Sequence, residues 1–193
     1  DSDAEIIEIE SVGTKVAEGT VRNSITAVSV ASFFVMLYVL YAFRRLEKSY
    51  RFAFSAVLTL VHDVVLVTGI YALLGHIFGL QVNSVFIVAL LTVIGYSVND
   101  TIVIFDRIRE NQIKFPDNKY SSNINISINE SIIRSLGTSI TTLLVLFSML
   151  ILGGSTLREF IVVLILGVIV GTYSSIFIAS QFLIIWEEGI KKK

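Results

Sequence analysis

Five long apolar runs constrain this chain more than any other feature of its sequence. They lie at about residues 25–43, 52–74, 82–105, 131–152 and 160–186, with short polar segments between them. A helix needs about 20 apolar residues to cross the hydrocarbon core of a bilayer. The runs are about that long, and they carry too few polar residues to form the solvated face of a soluble bundle. The sequence therefore predicts an all-α membrane domain with five transmembrane helices.

The composition agrees with a membrane protein and excludes several kinds of site. Hydrophobic residues make up 54% of the chain and charged residues 16%, whereas soluble domains average about 45–50% and about 25%. The chain has no cysteine, which excludes disulfides and thiolate metal sites. Its two histidines are too far apart for a histidine metal site, and nucleotide-loop and nucleophile-elbow motifs are absent from the sequence. We expect no enzymatic activity, no cofactor and no direct use of ATP.

Lysine and arginine are concentrated on alternate loops, which predicts the orientation of the helices. The segments after the first and third runs and the C-terminal tail are basic, whereas "GHIFGLQ" has no Lys or Arg and "GGSTLR" has only Arg158. Cytoplasmic loops carry the excess of positive charge, so we expect the basic segments to be cytoplasmic. The basic residues are Arg44, Arg45, Lys48, Arg51, Arg107, Arg109, Lys114, Lys119, Lys191, Lys192 and Lys193.

The first twenty residues differ from the rest and are predicted to be extracytoplasmic. In "AEIIEIESV", Ile7 and Ile9 alternate with Glu8 and Glu10, which predicts a short strand. The following "GTKVAEGTVRNSI" predicts a helix that leads into the first span. Because a lone strand is not stable, we expect its sheet partners in a domain that precedes this sequence. The expected organisation is the end of an extracytoplasmic domain at 1–20, a transmembrane domain at 21–190 and a basic tail at 191–193.

Polar residues inside the third and fourth runs recur at helical spacing. At about 1.5 Å per residue, Asp100 lies about 10 Å from the middle of its run, and Arg134 about 11 Å from the middle of its own. Both lie toward the predicted cytoplasmic side, so the carboxylate and the guanidinium can meet if the two helices are neighbours. The recurring residues are Thr92, Tyr96, Asn99 and Asp100 in the third run, and Arg134, Thr138, Thr141 and Ser148 in the fourth.

The carboxylate of Asp100 needs an explanation, because a charged group at the centre of a membrane helix costs about 2.5–3.5 kcal/mol on insertion scales. Asp100 is either a hydrogen-bonding anchor for helix packing or a group that titrates during transport. Arg134 is either its counter-charge or a side chain that snorkels to the headgroups. A contact between Asp100 and Arg134 that opens and closes would change the proton affinity of the carboxylate with conformation.

Three further patterns lie near these residues. His62 and Asp63 share a face with Thr59 near the middle of the second run, where either a relay or conformational role or interhelix hydrogen bonding accounts for them. Gly167 and Gly171 begin a stripe of small residues that is typical of close helix packing. The segment "DRIREN" at 106–111 predicts a helix end at the interface, with i,i+3 charge pairs Asp106–Arg109 and Arg107–Glu110 or a simple cytoplasmic anchor.

The motifs in these runs resemble the SecF subunits of the SecD/SecF family, accessory proteins of the bacterial Sec translocon. "VIGYSVNDTIVIFDRIREN" at 93–111 is similar to the fourth-helix signature, and "SINESIIRSLGTSITTLL" at 127–144 to that of the fifth helix. "GVIVGTYSSIFIAS" at 167–180 resembles the sixth helix, and "LTLVHDVVLVTGIYALLG" at 58–75 the third. The likeness covers nearly the whole chain, and the Asn-Asp and Asp-Arg-Ile-Arg-Glu-Asn combination favours SecF over SecD.

The resemblance implies the second to sixth helices of a six-helix SecF half. It also implies that the protein works with SecD and uses the proton motive force, or a sodium gradient in some organisms, to promote export through SecYEG. Asp100, Arg134 and Asn99 match the positions of the family that couple ion flow. The implied partners are SecD, the SecYEG translocon, the translocating preprotein and the lipid bilayer of the bacterial inner membrane, with YajC and YidC as further candidates and no nucleic acid.

Two other functions remain open. One is a proton-coupled small-molecule efflux subunit of the same resistance-nodulation-division superfamily, which would need large periplasmic domains with substrate clefts; the segment "SVNDTIVIFDRIREN" argues against it. The other is a scaffold that holds translocon subunits together without transducing energy. Asp100 would look the same in a scaffold, as a packing anchor.

Overall fold

A computed structural model describes the backbone of residues 2–44 and 48–189, and the side chains of residues 18–44, 48–154, 157–187 and 189. The described chain folds into α1 (Ser2–Ala42), α2 (Ser49–Phe78), α3 (Ser84–Lys114), α4 (Tyr120–Leu152), α5 (Ser155–Ser174) and α6 (Ser180–Glu188). A π turn at Ser175–Ala179 joins α5 to α6. Arg45 and the predicted tail Lys191, Lys192 and Lys193 lie outside the described residues.

Five helices of the described chain are long and apolar enough to cross a membrane. They are between 25 and 33 residues long and contain the five predicted runs to within two residues at the end of the first and the start of the third, with α5, the π turn and α6 forming the last one. The predicted all-α fold with five transmembrane helices is therefore confirmed. Because about 20 residues are enough to cross the hydrocarbon core, the polar ends of these helices extend beyond it.

The strand predicted within the first twenty residues is wrong. α1 begins at Ser2 and continues through the alternating segment without a break. A strand needs a neighbouring strand to satisfy its backbone hydrogen bonds, and the described residues contain no strand. A helix satisfies the same groups within itself, so it is the available structure for this segment.

The turn between α2 and α3 is defined by one glycine and one asparagine. Gly79 ends α2 with φ of 72°, a left-handed conformation that glycine adopts at no steric cost, and its N–H donates to the Gly75 carbonyl at 2.8 Å. Asn83 then caps α3, because its side-chain oxygen accepts the Phe86 N–H at 3.0 Å. These two residues account for the sharp reversal of the chain.

α3 is the central helix and packs against α1, α2, α4 and α5. It approaches α5 most closely at the two glycines of the small-residue stripe. A Cβ at Gly167 would overlap the Val93 side chain, and a Cβ at Gly171 would lie 2.9 Å from Ser97 Cβ. Small residues allow such close backbone approach, and the van der Waals packing that results drives helix association in a membrane.

The end of the bundle where α1, α3 and α6 stop and α2 and α4 start is called the basic end below. The rings of Phe43 and Phe52 stack there with centroids 5.2 Å apart, and Phe105 meets Phe52 edge-on at 5.3 Å. Arg51 pairs with Glu187, and Lys48 Nζ lies 2.9 Å from the same carboxylate. These contacts fasten the last helix to the start of α2.

Candidate ion-coupling site

Asp100 lies on the face of α3 that meets α4, and its side chain is buried. Its Oδ1 atom accepts a hydrogen bond from the Ser135 hydroxyl of α4. Its Oδ2 atom is also buried but has no hydrogen-bond partner among the described residues. Buried polar atoms are nearly always hydrogen-bonded, and leaving one unsatisfied costs about 1–3 kcal/mol. Asp100 is therefore held on one side only.

A small cavity lies beside this carboxylate. It has a volume of about 80 Å³, well above the roughly 10–15 Å³ that one water molecule requires. Five of its six lining residues carry polar side-chain groups, so water can make hydrogen bonds there. The lining residues are Tyr96, Asn99, Asp100, Val103, Arg134 and Thr138.

The structure brings Asp100 and Arg134 to this one cavity without a direct ion pair between them. Arg134 is the residue before Ser135, which binds Asp100, so the Arg134 position on α4 is at the level of the Asp100 carboxylate on α3. The Arg134 side chain is exposed at the surface of the bundle, and no hydrogen bond or ion pair joins it to another described residue. The guanidinium is close enough to act on the carboxylate and free enough to move away.

A larger cavity of about 580 Å³ opens next to the first, at the basic end. We call it the vestibule. Val103 and Arg134 line both cavities, so they form the partition between the vestibule and Asp100. The vestibule is also lined by the charged residues Asp106, Arg107, Arg109, Glu110 and Glu130, by Tyr38 and Ala42 of α1 and the following Phe43, and by Ile102 and Ser131.

Charged and amide side chains join the ends of α3 and α4 at the vestibule. Arg107 binds Glu110 at 2.6 Å on its own helix and Glu130 of α4 at 2.7 Å. Asn111 Nδ2 donates to Glu130 at 2.8 Å and to Ser127 Oγ at 3.0 Å. This set of contacts clamps the α3–α4 hairpin just outside the apolar run.

Both predicted i,i+3 charge pairs of the "DRIREN" segment are present. Arg107 meets Glu110, and Arg109 Nη2 lies 2.7 Å from Asp106. The contacts to α4 made by Arg107 and Asn111 were not predicted. The signal in the sequence that could have indicated them is an asparagine directly after a run of charged residues at a helix end.

Comparison with known proteins identifies the family of this chain. A sequence model described as "Protein export membrane protein SecD/SecF, C-terminal" matches residues 1–189. The chain belongs to this family. It is 42% identical over 177 residues to the protein translocase subunit SecF of Thermobaculum terrenum, covering 92% of this chain and 56% of that protein. It is 41% identical over 188 residues to the subunit SecDF of Thermus thermophilus, covering 97% and 24% of the two chains.

A solved SecDF structure has the same fold. The crystal structure of SecDF in a super-membrane-facing form superimposes with a TM-score of 0.78 at 42% identity, covering 89% of this chain and 22% of that one. The resemblance to SecF that the sequence motifs indicated is thus confirmed. The chain spans about half the length of the curated SecF relatives, at 56% and 60% of two of them.

The polar residues of the SecF-like α4 lie on two different faces. The stripe singled out from the sequence points away from the bundle at Arg134, Thr138, Thr141 and Ser148. The buried stripe, which the sequence analysis missed, repeats every fourth residue at Asn123, Ser127, Ser131, Ser135 and Ser139. That regular spacing is a signal in the sequence, since residues four apart share a helix face.

The neighbours of Asp100 on the SecF-like α3 also differ in exposure. Asn99 is exposed and lines the small cavity. The Tyr96 hydroxyl lies 3.1 Å from Ser139 Oγ, which in turn lies 2.5 Å from Thr172 Oγ1 of α5. Hydroxyl contacts therefore link α3, α4 and α5 just above the carboxylate.

Asp63 occupies a separate position, on α2 and against Ser97 of α3, one helical turn before Asp100. It is buried, and its Oδ2 atom accepts the Ser97 hydroxyl at 2.5 Å. His62 Nδ1 lies 3.1 Å from Oδ1 of the same carboxylate. The structure therefore does not bring His62 and Asp63 into the cavity shared by Asp100 and Arg134.

Proposed function

We propose that this chain is the membrane core of a SecF-type subunit that works with SecD. In this proposal the assembly uses the proton motive force to promote protein export through SecYEG, and Asp100 is the group that binds and releases the proton. The observation that carries the proposal is the buried Oδ2 atom of Asp100, which has no partner among the described residues, in a side chain that lines a cavity together with Arg134.

The hydrogen bonding of Asp100 supports titration over anchoring. An anchor for helix packing gains most when every polar atom has a partner, because a half-satisfied buried network is costly. Asp100 has one donor, and its buried second oxygen has none among the described residues. A carboxylate with an unpaired oxygen, beside a cavity that can hold water and is lined by a guanidinium, can take up a proton and lose it again.

The vestibule supplies a route for that proton. It connects the basic end with the partition formed by Val103 and Arg134, and Asp100 lies directly behind this partition. A shift of the Arg134 side chain would open the partition and remove the counter-charge in one step. The proton affinity of Asp100 and its access to the vestibule would then change together, as coupling of proton flow to movement requires.

The exposed polar face of α3 and α4 supports a protein neighbour such as SecD. Asn99, Thr138 and Thr141 are exposed within the apolar spans. The two threonine hydroxyls donate to carbonyls of their own helix, whereas lipid tails offer no hydrogen-bond partner to the Asn99 amide. Polar side chains at helix surfaces in membranes serve as contacts between helices. The similarity to SecDF agrees with a SecD partner for this face.

The same observations bear on the two alternative functions. The relatives named above are translocase subunits, which favours export over small-molecule efflux. A scaffold without energy transduction would use Asp100 only for packing. The experiment below separates the scaffold from the proton carrier, because a scaffold tolerates an isosteric amide at this position.

The test is export into membrane vesicles with and without a proton gradient, with the protein assembled with SecD. Asp100→Asn keeps the shape and the bond to Ser135 but cannot lose a proton. We expect the variant to assemble normally and the gradient-dependent part of export to disappear. A matched control is Asp117→Asn, the same chemical change in the exposed α3–α4 loop, which should leave export unchanged.

Unchanged export with Asp100→Asn would refute the proton-carrier role and leave the scaffold. If a sodium gradient supports export by the unmodified protein in place of the proton gradient, Asp100 keeps its role and the coupled ion is sodium. Loss of assembly with SecD in Asp100→Asn would indicate that the carboxylate serves packing.

A further inference from the structure

Asp63 is a second buried carboxylate that the proposed coupling site does not use. It lies on α2 and faces a cluster of hydroxyl groups from two other helices. Ser97 of α3 donates to its Oδ2 atom at 2.5 Å, and the Ser97 carbonyl accepts the Ser175 hydroxyl of the π turn at 3.2 Å. Asp63 thus binds α3 at the residue to which the π turn is also bound.

The hydroxyl cluster lies where the last membrane helix changes its winding. Ser174 is the last residue of α5, and the π turn starts at Ser175. Ser175 Oγ lies 2.8 Å from Thr101 Oγ1 and donates to the Ser97 carbonyl at 3.2 Å. π turns inside α-helices are rare and occur frequently at functional sites. Here the Ser175 side chain fastens the turn to Ser97 and Thr101 of α3.

α3 therefore carries two polar faces at one level. Ser97 and Thr101 face α2 and the π turn, whereas Asp100 faces α4. Ser97 is three residues before Asp100, and Thr101 is the next residue after it. Any rotation of α3 that broke the Ser97 and Thr101 contacts would also turn Asp100 away from Ser135 and the cavity.

The hydrogen bonding of Asp63 differs from that of Asp100. Oδ2 of Asp63 accepts from Ser97, and Oδ1 lies 3.1 Å from the His62 ring. Both oxygens are thus engaged, whereas one oxygen of Asp100 has no partner among the described residues. A fully engaged acceptor holds its neighbours in place, and the single oxygen of an asparagine at position 63 can still accept from Ser97.

We propose that Asp63 is a positioning residue that holds the π turn of the last helix against α3 and thereby sets the direction in which Asp100 faces. This inference rests on the proposed function, since it assigns Asp63 a task in the coupling carried out by Asp100. It requires a hydrogen-bond acceptor at position 63 and does not require a charge.

The cysteine-free chain allows a direct measurement of this geometry. A Thr101→Cys and Ser175→Cys pair replaces hydroxyls that are 2.8 Å apart, which is compatible with the short Cβ separation of a disulfide. The rate of cross-linking by a membrane-permeant oxidant then reports how long the π turn stays against α3. Asp63→Leu should slow this rate about tenfold, as expected when a hydrogen bond to a charged group is lost. Asp63→Asn should leave it unchanged.

Export in vesicles supplies the second readout. We expect Asp63→Asn to retain gradient-dependent export and Asp63→Leu to lose most of it, with both variants assembled with SecD. Loss of export in Asp63→Asn with an unchanged cross-linking rate would overturn the proposal, because the carboxylate would then act as an ionisable group itself. Equal cross-linking rates in Asp63→Leu and the parent pair would overturn it as well.

A second variant covers the case in which Asp63→Leu does not assemble. Ser97→Ala removes the hydroxyl that binds Asp63 and leaves the carboxylate in place. It should slow cross-linking, and an unchanged rate contradicts the proposal. Failure of the proposed function is distinguishable, since it would appear as normal export in Asp100→Asn whatever the cross-linking rates are. In that case Asp63→Leu would still separate the π turn from α3.

Discussion

At the scale of the residue, the two buried carboxylates differ in the donors that surround them. Asp63 has donors at both oxygens, whereas Asp100 has one donor and one buried oxygen without a partner among the described residues. The same side chain can therefore serve as a fixed acceptor in one place and as an exchangeable group in another. Ser135 is the residue that decides this for Asp100, because it is the donor that orients the carboxylate.

Ser135→Ala should reduce gradient-dependent export, though less than Asp100→Asn does. The variant removes the Ser135 donor, so that neither oxygen of the buried Asp100 carboxylate keeps a described hydrogen-bond partner, at a cost of about 1–3 kcal/mol. Export with and without a gradient is the measurement. The control is Ser148→Ala on the same helix, whose hydroxyl bonds only the Leu144 carbonyl at 2.8 Å. Export equal to that of the unmodified protein would show that Ser135 does not orient Asp100.

At the scale of the element, α3 is held by glycine packing against α5 and by hydroxyl and charged contacts to α4. Gly167 and Gly171 let α5 approach it closely, and Ser135 and Arg107 connect it with α4. A helix held by two neighbours can rotate only when both sets of contacts change. This arrangement makes α3 the element whose position the ion site controls.

Gly167→Ala should destabilise the protein, because the new Cβ would lie 2.7 Å from Val93 Cβ and overlap its methyl groups. Overpacking of this kind costs about 1–3 kcal/mol. Thermal unfolding in detergent measures the loss, and a second change, Val93→Ala, should restore part of it. Gly69→Ala is the control, since its Cβ would meet nothing within 4 Å. Equal stability of the Gly167 and Gly69 variants would contradict the close α3–α5 contact.

At the scale of the whole molecule, charge is distributed unequally between the two ends of the bundle. The basic end carries the clamp of α3 and α4 and the pairing of Arg51 with Glu187. The vestibule opens at the same end. If this end is cytoplasmic, as the positive-inside rule predicts, the route to Asp100 starts in the cytoplasm.

Single cysteines in the cysteine-free chain test this orientation. Asp117→Cys lies in the exposed loop at the basic end, and Gln81→Cys lies in the exposed turn at the opposite end. A membrane-impermeant maleimide should label the first in inverted vesicles and the second in right-side-out vesicles. Labelling in the reverse pattern would place the vestibule on the outside and reverse the direction of the proposed proton route.

The sequence by itself determined the class of fold, the number of spans and the family. Each follows from local information: run length and composition report whether a helix can cross a bilayer, and the Asn-Asp and "DRIREN" motifs are contiguous. The i,i+3 charge pairs were predictable for the same reason, because helix geometry alone brings those residues together. The strand was mispredicted from an alternating pattern that has no pairing partner in the described chain.

Only the tertiary structure decided which helix faces meet. Lipid tails are as apolar as leucine, so hydrophobicity does not distinguish a face that packs against another helix from one that meets lipid. The sequence therefore indicated the exposed stripe of Arg134 and Thr138 on α4, and the buried stripe that contains Ser135 was not predicted. The π turn and the separation of Asp63 from the Asp100 cavity likewise depend on contacts between distant segments, which no local pattern encodes.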